Sequence, residues 1–174
     1  FRKLGGKKMS KRDWKKEIAD KGIIFLDTAE KIRKCLNEHK TLITSRCSKT
    51  KTGKNSATPK EFYVSNINLN FYAAMENAGF YYGILSDKYG IHFCDEKLDY
   101  YDIHPSELTK EKKVELGKII GEKVSKLGYD AIIFYNTSPL LSLPYFEMLE
   151  NSGLKIYYVS KLDLFSQLKT RKLF

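Results

Sequence analysis

The chain has 174 residues and a mass of 20.2 kDa, and its 31 Lys and Arg against 21 Asp and Glu give a formal net charge of +10. That length corresponds to about one domain, and the 42% apolar content is enough for a hydrophobic core. With only 4 Pro and 11 Gly, the composition excludes collagen-like and low-complexity proteins. The basic balance predicts a polyanionic partner, most commonly nucleic acid, and argues against a protein that mainly binds cations.

The location of the protein is suggested by its cysteines and by its hydropathy. Three cysteines cannot all pair within one chain, and the sequence shows neither a secretory signal pattern nor the apolar run of about 20 residues that a membrane span needs. These features predict a reduced, cytoplasmic protein with no membrane partner.

The first 39 residues are predicted to form a basic arm followed by helices. Residues 1–16 hold eight Lys and Arg against one Asp, and such a block is typical of either an arm that lies along phosphates or a solvated tail. Residues 10–21, with Ser10 as N-cap, and residues 28–39 have helical patterns. We place a domain boundary between residues 39 and 40.

From residue 40 onward, short apolar runs alternate with helical stretches. The predicted strands are 41–44, 80–85, 129–135 and 154–159, and the predicted helices are 64–78, 107–127 (with Ser106 as N-cap), 144–151 and 161–174. This alternation predicts that residues 40–174 form a three-layer α/β/α domain with a mostly parallel sheet of about four strands. Ligands bind at the carboxyl ends of such strands, so the loops from residues 45, 86, 136 and 160 are expected to converge.

The loop after the first of these strands, residues 45–60, is strongly basic. It holds five Lys and Arg and no acidic residue, a composition suited to binding phosphate through charged donors and free amides. Its spacing differs from that of a P-loop, and the alternative is an exposed charged loop without a ligand. The candidate phosphate-binding or nucleic-acid-binding residues are Ser45, Arg46, Ser48, Lys49, Lys51 and Lys54.

Two groups of residues suggest catalysis. Cys47 lies among cations, which lower the pKa of a thiol, although a small, half-buried cysteine at a strand end is the other interpretation. Residues 95–102 are acidic and rich in tyrosine, and a carboxylate in a basic groove can activate water or stabilise an oxocarbenium-like centre. These acids could instead cap helices or pair with Lys49 and Lys51. No zinc-type spacing is present among His92, Cys94, Asp95 and His104, and no metal or cofactor is predicted.

Aromatic residues adjoin these loops, since the chain has 12 Tyr, 10 Phe and 1 Trp. Stacking of a base on an exposed ring contributes about 1–3 kcal/mol, but most aromatic rings of a domain belong to its core. Asn136, at the end of the third predicted strand, could either read a base edge or cap the following turn.

Four short motifs lie between residues 47 and 102, and the resemblance that they carry covers about residues 42–159. The order Cys47-Ser48-x-x-Lys51, Phe62-Tyr63-x-Ser65, Leu85-Ser86-x-Lys88-Tyr89-Gly90-Ile91 and Tyr101-Asp102 resembles an uncharacterised microbial family with the pattern Cys-Ser-x-x-Lys, Leu-Tyr-x-Ser, Leu-Ser-Ala-x-x-Gly-Leu and Tyr-Asp. The first motif is also similar to the C-terminal domain of archaeosine synthase, a transfer RNA modification enzyme. The group is more distantly similar to uracil-DNA-glycosylase-like domains and to the peroxide-stress YaaA proteins.

The chain departs from these patterns in three places. Asp87 stands where the family has a small residue, residues 51–53 are Lys-Thr-Gly where the synthase has Lys-Pro-Tyr, and the Asp-Pro-Tyr motif of uracil-DNA glycosylases is not present in the sequence.

The resemblance implies a uracil-DNA-glycosylase-like fold and an enzyme that acts on a base. Carried over position by position, it selects Cys47, Ser48, Lys51, Tyr63, Ser65, Ser86, Gly90, Tyr101 and Asp102. Combined with the loop chemistry, it gives Asp102, Cys47 and Lys51 as candidate catalytic residues. The candidate base pocket consists of Tyr63, Ser86, Tyr89, Gly90, Tyr101 and Asn136.

The sequence therefore favours an enzyme directed at nucleic acid, DNA or RNA, that acts on a modified base by N-glycosidic cleavage or base modification. Two alternatives remain open at this point. One is a non-catalytic DNA-binding or RNA-binding protein, and the other is an enzyme for a free nucleotide or nucleoside.

Overall fold

The structure is a computed structural model that describes residues 13–49, 51–53, 55–103 and 107–172, with side chains to residue 168. Within these residues the chain forms an α/β fold built on a six-stranded, mostly parallel sheet with helices on both faces. The strands are β1 (Ile23–Phe25), β2 (Thr41–Arg46), β3 (Ser56–Ala57), β4 (Tyr82–Ser86), β5 (Gly90–Phe93), β6 (Leu98–Asp99), β7 (Ala131–Tyr135) and β8 (Lys155–Val159).

The helices lie in two layers. They are α1 (Trp14–Asp20), α2 (Ala29–Glu38), α3 (Pro59–Phe62), α4 (Asn66–Ala78), α5 (Lys110–Lys126), α6 (Leu143–Leu149) and α7 (Asp163–Lys172), with a 3₁₀ turn at Leu140–Ser142 before α6. Alternate side chains of β7 enter two separate cores: Ile133 packs in the core shared with α2, α4 and α7, and Ile132 in the core shared with α1, α5 and α6. Both faces of the sheet are therefore covered, as near-continuous apolar strands require.

The strand order in the sheet is β1-β8-β7-β2-β4-β5, and every neighbouring pair is parallel except β4 with β5. The four predicted strands correspond to β2, β4, β7 and β8, so the prediction of about four strands omits the two edge strands. The three residues of β1 are too few for a readable pattern, and β5 lies in a stretch predicted as an irregular loop. The predicted domain boundary after residue 39 falls between α2 and β2. Strand β1, which precedes this boundary, pairs with β8, which follows it.

Helix boundaries follow the caps. Thr28 Oγ1 accepts a hydrogen bond from the Lys31 amide (3.1 Å) at the start of α2, where the sequence placed that helix. The N-cap of α5 is Thr109, whose Oγ1 accepts from the Lys112 amide (3.1 Å), so the helix begins three residues later than predicted. The predicted cap, Ser106, lies outside the described residues. No helix in the described ranges is long and apolar enough to cross a membrane.

Because β2, β4, β7 and β8 are parallel, their carboxyl ends lie along one edge of the sheet. Three chain segments are tied together beside this edge. Lys51 forms an isolated antiparallel bridge with Tyr63, and β3 pairs with β6 in a separate two-stranded sheet. The segment after β2 is thereby linked both to the start of α4 and to the segment that leads to Tyr101 and Asp102.

Candidate functional site

A cavity of about 370 Å³ lies at the carboxyl edge of the sheet. It is formed by the ends of β2 and β4, the segment at residues 102–103, the first residues of α5, and the 3₁₀ turn with α6. Four cations line it, Arg46, Lys49, Lys51 and Lys113, together with two carboxylates, Asp87 and Asp102. The lining is positive on balance, which suits an anionic ligand.

The structure brings most of the predicted loop residues together. The predicted residues in the lining are Arg46, Cys47, Ser48, Lys49, Lys51 and Asp102. Ser45 is not among them: it is fully buried, and its Oγ donates to the Tyr135 carbonyl (3.0 Å), which ties β2 to β7. Lys54 lies outside the described residues.

The six predicted base-pocket residues do not line this cavity. Tyr63 and Ser86 are fully buried and Tyr101 is 5% exposed, so these side chains are not available to stack on a ligand in this structure. Tyr89 is partly buried, and its hydroxyl donates to the Asp99 carbonyl (3.0 Å). Gly90 adopts a φ of +79°, and a Cβ there would lie 3.1 Å from Ile119 on α5, so this glycine permits the close approach of β5 to that helix.

Tyr63, Tyr101 and Ser86 form a chain of hydrogen bonds with His92, and all of these bonds run in one direction. His92 Nε2 lies 2.7 Å from the Glu96 carbonyl, which can only accept, so this nitrogen carries the proton. Burial lowers the pKa of His92, so the ring is neutral and its Nδ1 accepts from Tyr63 Oη (3.4 Å). Tyr63 in turn accepts from Tyr101 (3.0 Å), and Tyr101 accepts from Ser86 Oγ (2.9 Å). Every member of the chain is satisfied, which such a buried polar group requires.

Arg46 is held in a fixed orientation at the end of β2. Its Nε donates to Asn136 Oδ1 (3.3 Å) and its Nη1 donates to the Cys47 carbonyl (3.2 Å). Asn136 is itself 1% exposed, and its Nδ2 donates to Ser142 Oγ (2.7 Å). Asn136 therefore positions a cation beside the cavity, and its amide group is occupied by protein contacts.

Cys47, Asp87 and Tyr145 are in contact within the cavity. Cys47 Sγ donates to Asp87 Oδ1 (3.5 Å) and lies 3.5 Å from Tyr145 Oη. Burial, followed by the negative charge of Asp87, raises the pKa of the Cys47 thiol to about 11. Cys47 is therefore a neutral thiol at pH 7, because its surroundings oppose the thiolate that a nucleophile needs.

Asp87 is the cavity carboxylate whose environment differs most from water. Burial raises the pKa of Asp87, while the hydrogen bond from Cys47 and the charge of Lys51 act in the opposite direction. Asp102, by contrast, is exposed. A partly buried carboxylate with a perturbed pKa in a cleft is a candidate general base.

Three residues that line the cavity were not among the predicted site residues: Asp87, Tyr145 and Lys113. The signal for Asp87 was present, since it directly follows a buried strand and replaces a small residue of the family pattern. Tyr145 and Lys113 carry no such signal, because each lies within a helical pattern far from the other site residues in the chain. Asn68, also missed, is fully buried and donates from Nδ2 to the Arg46 carbonyl (2.8 Å), which supports the end of β2.

In the part of the chain that the structure describes, no group of three or more His, Cys, Asp or Glu side chains is arranged to hold a metal ion. The two ring nitrogens of His92 are both engaged in the hydrogen bonds given above. The site can thus bind an anion with its cations and accept a proton with Asp87.

The chain matches no protein-family model, no curated protein and no solved structure. The chemistry of the cavity, together with the motif resemblance, is therefore the basis for a functional proposal.

Proposed function

We propose that this protein is an enzyme that takes a nucleotide unit of DNA or RNA into the carboxyl-edge cavity and acts on its base, by N-glycosidic cleavage or base modification. The observation that carries the proposal is the position of Asp87, a partly buried carboxylate in a cavity lined by four cations. The cavity volume of about 370 Å³ is within the range of small-ligand sites. The motif resemblance supports a uracil-DNA-glycosylase-like version of the α/β fold.

For glycosidic cleavage the roles of the residues follow from their chemistry. A water molecule attacks the C1′ carbon, the C1′–N bond breaks, and its electron pair leaves with the base. Asp87 accepts the proton of the attacking water, and its negative charge also stabilises the positive sugar that develops in the transition state. Cys47 orients Asp87 through its hydrogen bond, and Arg46, Lys49 and Lys51 bind phosphate.

The proposal is tested by a product screen. Purified protein is incubated with DNA and transfer RNA that contain natural modified bases, and the products are identified by mass spectrometry. We expect a released base or a mass change on at least one substrate. If the protein binds these substrates with a steep salt dependence and changes none of them, it is the non-catalytic binding protein instead.

Arg46→Lys is expected to lower the affinity for inorganic phosphate by about tenfold, although the charge is kept. A guanidinium fixed at two atoms presents a planar pair of donors, whereas an ammonium group on a flexible stem does not. The loss of one charge-assisted hydrogen bond, about 1.5–3 kcal/mol, corresponds to tenfold or more. Isothermal titration calorimetry measures the affinity, with the exposed Lys49→Arg as the matched control. Equal affinities for Arg46→Lys and wild type would place the phosphate elsewhere.

Leu141→Ala distinguishes a polymeric substrate from a free nucleotide. Leu141 lies at the cavity and is 72% exposed, the highest value among the exposed large apolar side chains of the described residues. An apolar side chain in that position can contact unstacked bases beside the bound nucleotide, a contact that a free nucleotide does not make. We expect about tenfold weaker binding of an oligonucleotide, measured by fluorescence anisotropy, with unchanged binding of the mononucleotide. An equal effect on both ligands would favour the free-nucleotide enzyme.

A further inference from the structure

Lys51 is held in place through both its backbone and its side chain. Its backbone forms the isolated bridge with Tyr63, and its ammonium group lies over the ring of Tyr101, 4.8 Å from the ring centroid. An ammonium at this distance from a ring face is attracted by the ring quadrupole. Tyr101 does not line the cavity, whereas Lys51, whose ammonium group lies over the Tyr101 ring, does.

We propose that Tyr101 is a positioning residue of this site, whose ring holds the Lys51 ammonium group beside Asp87. The proposal rests on the proposed function, in which Asp87 and Lys51 belong to the reacting site. In this arrangement the influence of Tyr101 on Asp87 passes through Lys51.

The ring of Tyr101 is fixed from several sides. Its centroid lies 5.6 Å from that of Phe62, 5.5 Å from that of Tyr89 and 6.4 Å from that of Tyr63. Its hydroxyl lies between Ser86 and Tyr63 in the directed chain described above. A ring held in this way supports a cation in one place, whereas an exposed ring would move with it.

The position of Lys51 is measurable through Asp87. The charge of Lys51 lowers the pKa of Asp87 against the rise caused by burial, so displacement of Lys51 raises that pKa further. The other groups that face Asp87 are the Cys47 thiol on the loop after β2 and the Tyr145 hydroxyl on α6. The remaining charges of the cavity are Arg46, Lys49, Asp102 and Lys113, and the variants below leave all of them in place.

Three variants separate the ring from the hydroxyl. Tyr101→Leu removes both, Tyr101→Phe keeps the ring, and Lys51→Met removes the cation itself. The pKa of Asp87 is measured in each full-length protein by titration of its side-chain carboxyl carbon in NMR spectra. We expect Tyr101→Leu and Lys51→Met to raise the pKa of Asp87, Tyr101→Phe to leave it at the wild-type value, and the double variant Tyr101→Leu/Lys51→Met to match Lys51→Met alone.

A second measurement can be made on the wild-type protein itself. Because the Lys51 ammonium group lies over the ring face, the ε-methylene protons next to it are expected upfield of those of an exposed lysine, in the wild type and also in Tyr101→Phe. Ordinary lysine shifts in the wild type, or an unchanged pKa of Asp87 in a folded Tyr101→Leu protein, would overturn the proposal. Because neither measurement uses a substrate, both give their answer whether or not the product screen finds a reaction.

Discussion

Asp87→Asn is expected to lower turnover by at least about 100-fold on whichever modified-base substrate the wild type converts. Loss of a positioned general base costs about 10²–10⁴ in rate, and an amide can neither accept the proton of water nor stabilise a positive sugar by charge. The substitution keeps the size of the side chain, so the affinity for the oligonucleotide should stay within about twofold. The rate is measured under single-turnover conditions, which separate chemistry from product release.

Asp102→Asn is the matched control, because it removes the other carboxylate of the same cavity. Asp102 is exposed at the rim, so we expect its variant to keep most of the wild-type rate. The reverse result, an inactive Asp102→Asn and an active Asp87→Asn, would place the catalytic carboxylate at Asp102, the residue that the motif resemblance selects. Loss of rate in both variants would indicate that both carboxylates contribute to the reaction.

Thermal unfolding shows whether the Asp87→Asn protein is folded. The pKa of Asp87 predicts the direction in which the unfolding temperature changes. The pKa of Asp87 is higher in the folded protein than in the unfolded chain, so folding of the wild type becomes less favourable as the pH rises from the unfolded value of about 3.9 through the folded value. Ionisation of the partly buried carboxyl therefore costs stability that Asn does not. An inactive Asp87→Asn protein should unfold at the wild-type temperature or above it.

Gly117→Ala is expected to destabilise the protein by about 2 kcal/mol. Gly117 lies on α5 where that helix packs against α6, and a Cβ there would overlap the Met148 carbonyl oxygen and lie 2.8 Å from Asn151 Cβ. Overpacking of this kind typically costs about 1–3 kcal/mol, and backbone atoms cannot rotate away as a side chain can. The gain of about 1 kcal/mol in helix propensity offsets only part of this cost when α5 and α6 must move far apart. Urea unfolding at equilibrium measures the difference.

The same substitution bears on the site, because α6 carries Tyr145. Displacement of α6 from α5 would move the Tyr145 hydroxyl, which lies 3.5 Å from Cys47 Sγ, and we expect a lower rate in Gly117→Ala as well. Glu122→Ala, an exposed position on α5, is the control and should change stability by less than about 0.5 kcal/mol. A Gly117→Ala protein as stable as Glu122→Ala would show that the helices can separate at no cost.

The basic loop after β2 shows which features a local sequence pattern can predict. The sequence predicts a strand at residues 41–44 around the apolar pair Leu42 and Ile43, and the structure forms the strand Thr41–Arg46 there, followed by the cations that were predicted to face a ligand. Strand β5 is a feature that a local sequence pattern does not predict. Its residues pair with β4 across a short turn, and they are buried because α5 packs on them. The sequence between residues 86 and 105 contains polar and aromatic residues in no regular period, so only the packing of α5 identifies this strand.

The aromatic residues near the loops were ambiguous for a related reason. A tyrosine beside a strand end can face a ligand or the core, and its neighbours in the chain are the same in either case. Tyr63 and Tyr101 are buried because the segments that carry them meet through the Lys51 bridge and the β3–β6 pair, and their hydroxyls find partners in Ser86 and His92.

What the sequence by itself determined is the alternation of strands and helices, the edge of the sheet where the polar strand-end loops meet, and the basic character of the loop at Arg46 and Lys51. These features follow from periodicity, composition and the parallel direction of the strands, all of which are local. Only the tertiary structure decided which carboxylate lies beside Cys47. The position of Asp87 directly after a strand does not show that it is partly buried; it is partly buried because the Cys47 thiol after β2 and the Tyr145 hydroxyl on α6 meet beside it, whereas Asp102 is left in solvent.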